Sequence, residues 1–342
     1  MTIHELAGGG DGVARLPDDS GVVFVPDTAP GDRVRVTLPR GGVGKRGWAR
    51  ARVAARLEDG PHRQTPPCPL ADTCGGCQWQ HVRQQAQLQA KQQILERALR
   101  QARIEATPEP PVAAPAPLEY RCRARLSFAP GPNGPRLGFR ARRSHELVDV
   151  DRCPVLLPGL SAQLPALRQS LPVAAAGELR LLGNEAGDLA AVITAATGRV
   201  TPLTEATRVN LARSNQPPFW GAPAGFVQAN PAVNRLLRQR LADWAAPVTG
   251  PVVELYAGAG NLTRVLHPLG PVTAVESDAR AVDLGRANLG DADVTWIDAD
   301  VADWLEKAPE GTPALVVLDP PRAGARGGLD GLARLGAPRI LY

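Results

Sequence analysis

Apolar positions follow three different rhythms along this chain. Up to about residue 60 they come in short alternating runs: Gly21-Val-Val-Phe-Val25, Arg33-Val-Arg-Val-Thr-Leu38 and Trp48-Ala-Arg-Ala-Arg-Val53. Glycine-rich or proline-containing turns separate them, such as Gly8-Gly9-Gly10-Asp11-Gly12 and Pro30-Gly31-Asp32. Short strands at this spacing predict a small all-β module of the OB-like, five-stranded barrel type, which often binds single-stranded nucleic acid. A glutamine-rich run with helical periodicity follows from Val82 to Ala102, then a proline-rich linker from Pro108 to Pro117. Tyr120 to about Asn215 reads as a second β-rich region, with Arg125-Leu-Ser-Phe128 and Leu137-Gly-Phe139 as strands. Its latter half, near Leu160 to Val200, carries no motif that can be interpreted.

From Phe226 the rhythm changes to alternating helix and strand. A helix from Asn230 to Trp244 precedes the buried strand Val252-Val-Glu-Leu255, which ends in Tyr256-Ala-Gly-Ala-Gly260. Then come a helix, the strand Val272-Thr-Ala-Val275, a helix near Ala279 to Leu289, the strand Val294-Thr-Trp-Ile297, a short helix and the strand Ala314-Leu-Val-Val-Leu318. Such alternation predicts a parallel, doubly wound α/β sheet. The expected fold is therefore α/β plus β, in three parts: residues 1–62 a β barrel, residues 63–215 a central domain, residues 216–342 a Rossmann-like domain. Helix 82–102 is a candidate to pack on the last of these.

Composition adds little to the fold but something to the partner. The 342 residues include five cysteines, too few for a disulfide scaffold. No window reaches the ~18 apolar residues of a membrane helix, and no signal peptide opens the chain, so a cytoplasmic location is expected. The net charge of +5 is unevenly spread. Pro251 to Tyr342 holds 13 acidic and 8 basic residues, leaving a net of +10 for the rest. Arg33 to Arg56 carries eight Arg or Lys and Tyr120 to Arg143 seven Arg, both without an acid. Either run alone reads equally well as a solvated face, but two together point to a polyanion such as RNA.

Ligands of a doubly wound sheet bind beyond the carboxyl ends of its strands. Three groups sit there: the loop Tyr256-Ala-Gly-Ala-Gly260-Asn261, Glu276 about 20 residues later where an acid grips a ribose, and Asp298 with Asp300. The third glycine of the dinucleotide fingerprint is replaced, and no phosphate-binding Gly-x-x-x-x-Gly-Lys is present, so the pattern favours S-adenosylmethionine (SAM) over a nicotinamide cofactor. Asp319-Pro320-Pro321-Arg322 ends the fourth strand. An aromatic residue at the last position would stack under an exocyclic amine, and arginine there points away from N-methylation. Cys68, the tight turn Cys74-Gly-Gly-Cys77 and the distant Cys153-Pro154 form a four-thiolate set that suits zinc or a [4Fe–4S] cluster equally. Cys122, inside an arginine-rich strand, reads as a small core residue.

Taken in order, the Gly-Gly-Asp-Gly opening, Cys68-x5-Cys74-Gly-Gly-Cys77 with Gln78-Trp-Gln-His81, Arg125-Leu-Ser-Phe128, Cys153-Pro154, Phe226-Val-Gln-Ala-Asn230, the Gly-Asn261 loop and Asp319-Pro-Pro-Arg322 resemble the RNA 5-methyluridine methyltransferase family. The likeness is to its iron–sulfur branch acting on 23S ribosomal RNA, whose N-terminal barrel is a TRAM domain. The resemblance implies a [4Fe–4S] cluster on Cys68, Cys74, Cys77 and Cys153. It also implies a SAM site of Gln228, Tyr256, Asn261, Glu276, Asp300 and Asp319, with Asp298 as second choice to Asp300. Structured RNA would be the partner, with no obligate protein partner evident. Carbon 5 of uracil is a poor nucleophile, so the family adds a cysteine thiolate to carbon 6, and a glutamate later removes the carbon-5 proton. That cysteine follows the fifth strand in a Ser-Cys-Asn/Asp-Pro motif. Arg339-Ile-Leu-Tyr342 looks like that strand, so the methyltransferase domain is expected to be incomplete, nucleophile and base to lie beyond Tyr342, and the chain as it stands to be inactive. The alternatives are an RNA- and SAM-binding protein without turnover and a tRNA uridine methyltransferase. A radical-SAM methylthiotransferase would need Cys-x-x-x-Cys-x-x-Cys, which is absent.

Overall fold

The computed structural model describes residues 1–195, 197–308 and 311–342. The chain forms two compact units, Met1–Pro117 with Leu137–Pro154, and Leu118–Arg136 with Val155–Tyr342.

The first unit begins with six strands rather than five: β1 (Glu5–Leu6), β2 (Gly12–Arg15), β3 (Val22–Val25), β4 (Arg33–Thr37), β5 (Trp48–Arg50) and β6 (Arg52–Glu58). The run expected as one strand over 48–53 divides at Ala51. That residue is buried and donates its N–H to the Phe24 carbonyl at 2.9 Å. On one side of this pivot β5 pairs parallel with β3, and on the other β6 pairs antiparallel with β4 through two register shifts. Hydrogen bonding therefore gives a four-stranded sheet in the order β1-β2-β3-β5 and a two-stranded ribbon, β4-β6. The core between them is built from small side chains, Ile3, Ala14, Val23, Val25, Val34 and Ala51, as a chain poor in aromatics requires. Helix α1 (Gln84–Gln101) follows the cysteine-rich segment, and its Ala86 and Ala90 pack with Leu6, Ala29 and Val82 of this unit.

The chain then contributes β7 (Arg123–Ala129) to the second unit and returns to the first with the hairpin β8 (Arg136–Arg140) and β9 (Leu147–Asp149). The stretch without an interpretable motif folds as α2 (Pro158–Gln169), β10 (Gly177–Gly183) and β11 (Leu189–Ala195), continued by β12 (Val200–Pro202). In the second unit β10 lies between β7 and β11, and β12 extends the sheet, all antiparallel. A two-stranded hairpin, β13 (Val209–Asn210) and β14 (Trp220–Gly221), leads to the α/β part.

That part contains α3 (Pro231–Ala245), β15 (Val252–Leu255), α4 (Thr263–Leu266), β16 (Val272–Glu276), α5 (Ala279–Leu289), β17 (Val294–Asp298), α6 (Val301–Glu306), β18 (Leu315–Leu318), α7 (Leu329–Arg334) and β19 (Ile340–Leu341). All five strands are parallel in the order β17-β16-β15-β18-β19, so the sheet reverses direction beside β15. The period-two geometry of a strand sorts its residues between two apolar layers. Val252, Val272, Ala274, Leu315 and Val317 face Leu241 and Ala245 of α3 and Leu266 of α4. Val253, Leu255, Val275, Val316 and Leu318 face Val301 and Leu305 of α6. Both faces being covered explains why these strands read as continuous apolar runs.

Candidate active site

The carboxyl end of β15 turns sharply. Tyr256 has φ +63, unusual for a residue with a side chain, and Gly258 and Gly260 follow at +57 and +89. Such backbone makes a tight loop whose Ala257 and Gly260 amides are bonded to the carbonyls of Val275 and Ala257, both at 3.1 Å. A cavity of about 810 Å³ lies there, at the point where the strand order reverses.

All six residues expected to hold SAM line this cavity: Gln228, Tyr256, Asn261, Glu276, Asp300 and Asp319. Five of the six, all but Tyr256, are fixed by a hydrogen-bond partner. The Glu276 carboxylate accepts from the Gly258 amide at 2.9 Å and from those of Ser277 and Asp278, both at 2.8 Å, which ties the ends of β15 and β16 together. Asn261 exchanges two side-chain hydrogen bonds with Asn234 of α3, each 2.9 Å. Gln228 Nε2 donates to Asp319 Oδ2 at 3.3 Å. Asp300 caps α6 by accepting from Ala302 N at 2.8 Å. Asp298 ends β17 opposite Glu276 and is not among the lining residues, whereas Asp300 is. Burial, then the nearby Asp300, raises the Tyr256 phenol above its ordinary value.

The structure adds residues that motif reading missed. Asn288 of α5 accepts from Trp220 N at 2.7 Å and donates to the carbonyls of Trp220 and Ala259, both at 3.0 Å, bracing the β13–β14 hairpin against the glycine loop. No local pattern marks such a contact. Glu254, the one polar residue of β15, is fully buried in the cavity wall, and its Oε2 and the neighbouring Thr263 Oγ1 have no hydrogen-bond partner among the described residues. Burial, with Asp319 and Glu276 nearby, pushes the Glu254 carboxyl up to about 8. An orphaned acceptor beside acidic groups fits a cationic ligand such as SAM, whose sulfonium and ammonium groups would take it up.

Cys122 is buried, as expected of a core residue, and it too lines the cavity. Its Sγ donates to the Gln228 carbonyl at 3.3 Å, and burial pushes its thiol up to about 11. It is protonated at neutral pH and a poor nucleophile.

The other four cysteines belong to the first unit. The Cys74 amide bonds to Leu70, Gly75 donates to the Arg140 carbonyl at 2.9 Å, and Gly76 N approaches Cys74 Sγ at 3.4 Å, so the turn is seated on the β8–β9 hairpin that leads to Cys153. Burial raises the Cys74 thiol, and Cys77 and Cys68 add to the rise. Even so, among the described residues no group of three or more His, Cys, Asp or Glu is drawn together as a metal centre.

A parallel sheet with this order and glycine loop defines a methyltransferase fold of the SAM-binding type. No family model matches the chain. The 23S rRNA (uracil(1939)-C(5))-methyltransferase RlmD of Halomonas elongata is 33% identical over 389 residues, covering 100% of this chain and 80% of its own. Its Chromohalobacter salexigens counterpart is 34% identical over 383 residues, covering 100% and 79%. An RNA methyltransferase of Bdellovibrio bacteriovorus, described as uncharacterized, is 32% identical over 338 residues, covering 95% and 77%. Among solved structures, the Pyrococcus abyssi tRNA (uracil-54, C5)-methyltransferase in complex with S-adenosyl-L-homocysteine superposes with a TM-score of 0.68 at 20% identity, over 98% of this chain and 86% of that one. The chain belongs to the RNA uracil-C5 methyltransferase family. Among the described residues no helix is long and apolar enough to cross a membrane.

Proposed function

We propose that the protein directs the methyl group of SAM to carbon 5 of a uridine in structured RNA, 23S ribosomal RNA in the first place, in the cytoplasm. The observation that carries this is the convergence of Gln228, Tyr256, Asn261, Glu276, Asp300 and Asp319 on one cavity in a chain related to RlmD over its whole length. Bound there, SAM supplies an electrophilic methyl group. Glu276 would accept from the ribose hydroxyls, Asn261 and Tyr256 would shape the adenosine end, and Gln228 with Asp319 would face the methyl donor. Deleting the gene should remove 5-methyluridine from 23S rRNA, read by nuclease digestion and mass spectrometry. Loss from tRNA instead would move the substrate to tRNA.

None of the five cysteines suits the role of attacking thiolate. Cys122 is buried and protonated, and Cys68, Cys74, Cys77 and Cys153 are the residues assigned below to the cluster. A polypeptide of residues 1–342 is therefore expected to bind S-adenosylhomocysteine without methylating RNA; 5-methyluridine formed by it would refute this assignment. We infer further that residues 1–62 act as a TRAM-like RNA-binding module. Cys68, Cys74, Cys77 and Cys153 would hold a [4Fe–4S] cluster, supported by the seating of the Cys74-Gly-Gly-Cys77 turn on Arg140 and by the return of residues 137–154 to the first unit. Four thiolates from two chain segments would then share one inorganic core. Anaerobically purified protein should contain iron and acid-labile sulfide; zinc instead, at one ion per chain, would replace the cluster reading.

A further inference from the structure

The cavity of the second unit is larger than the six proposed SAM residues use. Its wall also includes the β13–β14 hairpin, α3 and α4, which bring Arg213, Arg235, Arg238 and Arg264 to the same space. Asn234, Arg235 and Arg238 fall within one helical turn of α3, so the arginines begin beside the Asn234–Asn261 pair. Of the four guanidinium groups only that of Arg235 has a carboxylate partner among the described residues, Glu185 at 3.1 Å. Arg238 Nε is buried with no hydrogen-bond partner. The Arg264 guanidinium lies over the Phe219 ring at 4.9 Å, and Arg208 lies over Trp220 at 4.8 Å.

The acids of the cavity wall, Glu254, Glu276, Asp300 and Asp319, stand at or just beyond the strand ends, and none of them is an ion-pair partner of Arg213, Arg238 or Arg264 among the described residues. Burial, and then the neighbouring Arg264 and Arg235, lower the Arg238 pKa to about 10, which registers the crowding of these guanidinium groups. A buried donor without an acceptor is costly unless a ligand supplies one. One carboxylate, such as that of the methionine part of SAM, would neutralise only one of the three unpaired groups. Successive phosphates match both their number and the fork geometry of guanidinium. Aromatic rings interleaved with arginines are likewise how single strands are held, bases on the rings and phosphates on the cations. We propose that Arg213, Arg238 and Arg264 form a phosphate subsite that holds the backbone of the single-stranded RNA segment entering the methyltransferase cavity. This deepens the RNA reading above and rests on it.

The test is the salt dependence of binding of a short fluorescent oligouridylate, measured by anisotropy, so that no methyl transfer is needed. The double variant Arg238→Ala/Arg264→Ala should lower the slope of log K against log salt by about 1.4, two single-strand phosphates at about 0.7 each. Arg286→Ala, on the exposed face of α5 and paired only with Asp283, should leave it unchanged. Binding of S-adenosylhomocysteine by calorimetry should be retained. If that binding is lost while the RNA slope holds, the arginines serve the cofactor carboxylate and the proposal fails. An unchanged slope in a folded double variant also overturns it. Should the double variant not fold, Arg213→Ala, on an exposed loop, is expected to lower the slope by about 0.7 and an unchanged slope there is equally fatal. Wild-type protein that does not bind the oligomer would overturn the RNA reading itself, a result distinct from all of these.

Discussion

Glu254 shows how one side chain can couple the cavity to the stability of the sheet. Its carboxyl is protonated in the empty fold up to about pH 8, whereas in the unfolded chain it ionises near its ordinary 4.5. The folded pKa is raised for an acid, so the stability it permits is full below the unfolded pKa and declines as pH rises towards 8. At pH 7 the difference is worth about 3 kcal/mol. Glu254→Gln removes the ionisable group, and its melting temperature should exceed that of the wild type by a margin that widens from about pH 5 to about pH 8. A constant margin would show that Glu254 ionises freely in the fold. A cationic cofactor reverses the preference by favouring the carboxylate, so binding near neutral pH should release a proton, visible as a dependence of the calorimetric enthalpy on the buffer used.

Among elements, α5 and β17 are held together by an absent side chain. A Cβ on Gly285 would stand 2.6 Å from Cζ2 of the Trp296 ring. Gly285→Ala gains about 1 kcal/mol of helix propensity, yet displacing an indole costs about 1–3 kcal/mol. The net expectation is a lower urea midpoint with an unchanged slope; a higher midpoint would mean the ring moves freely. This helix also shows what the sequence made legible. Its range is read correctly because Asp278 caps one end, accepting from Arg280 N, and Gly290 closes the other. The stretch from Leu160 to Val200 was illegible for a physical reason. In β10 polar and apolar residues alternate only over Glu178 to Leu181, β11 is a nearly continuous apolar run without alternation, and α2 carries a proline inside it. The residues expected at the SAM site were legible because each lies in a motif, all but Gln228 at or shortly beyond a strand end. Arg213, Arg238 and Arg264 were not, since each alone reads as a solvated charge and only the packing of three elements collects them.

For the molecule as a whole, the first unit depends on one buried ion pair. Asp32 is fully buried and accepts from the amides of Ala29 and Gly60, both at 2.8 Å, and from Arg63 Nε at 3.0 Å. Burial works against its charge, but Arg63 and the two amides outweigh it and hold the carboxyl below the usual carboxylate range. With the folded pKa depressed, this stabilisation is present above the unfolded value near 4 and is lost as pH falls through the folded one. Asp32→Asn leaves the largely buried Arg63 with only Asp59, at 3.6 Å, as a carboxylate partner among the described residues, and should destabilise the first unit by about 3 kcal/mol. Chemical denaturation followed at Trp48 or Trp79 should show the loss at neutral pH and its disappearance in acid; no difference at neutral pH would mean that Arg63 finds another partner.

The return of residues 137–154 to the first unit has a consequence for biosynthesis. A ribosome delivers the chain from its amino end, so the strands, α1 and the Cys74 turn emerge before the hairpin β8–β9 and Cys153 that complete this unit. Meanwhile residues 118–136, which belong to the later unit, have already emerged without their partners. Three thiols are thus exposed to the cell before the fourth exists, and the two units mature in overlapping rather than successive order. Stalled nascent chains ending short of Pro154 should be sensitive to protease throughout the first unit, and chains long enough to clear that residue should become resistant there first.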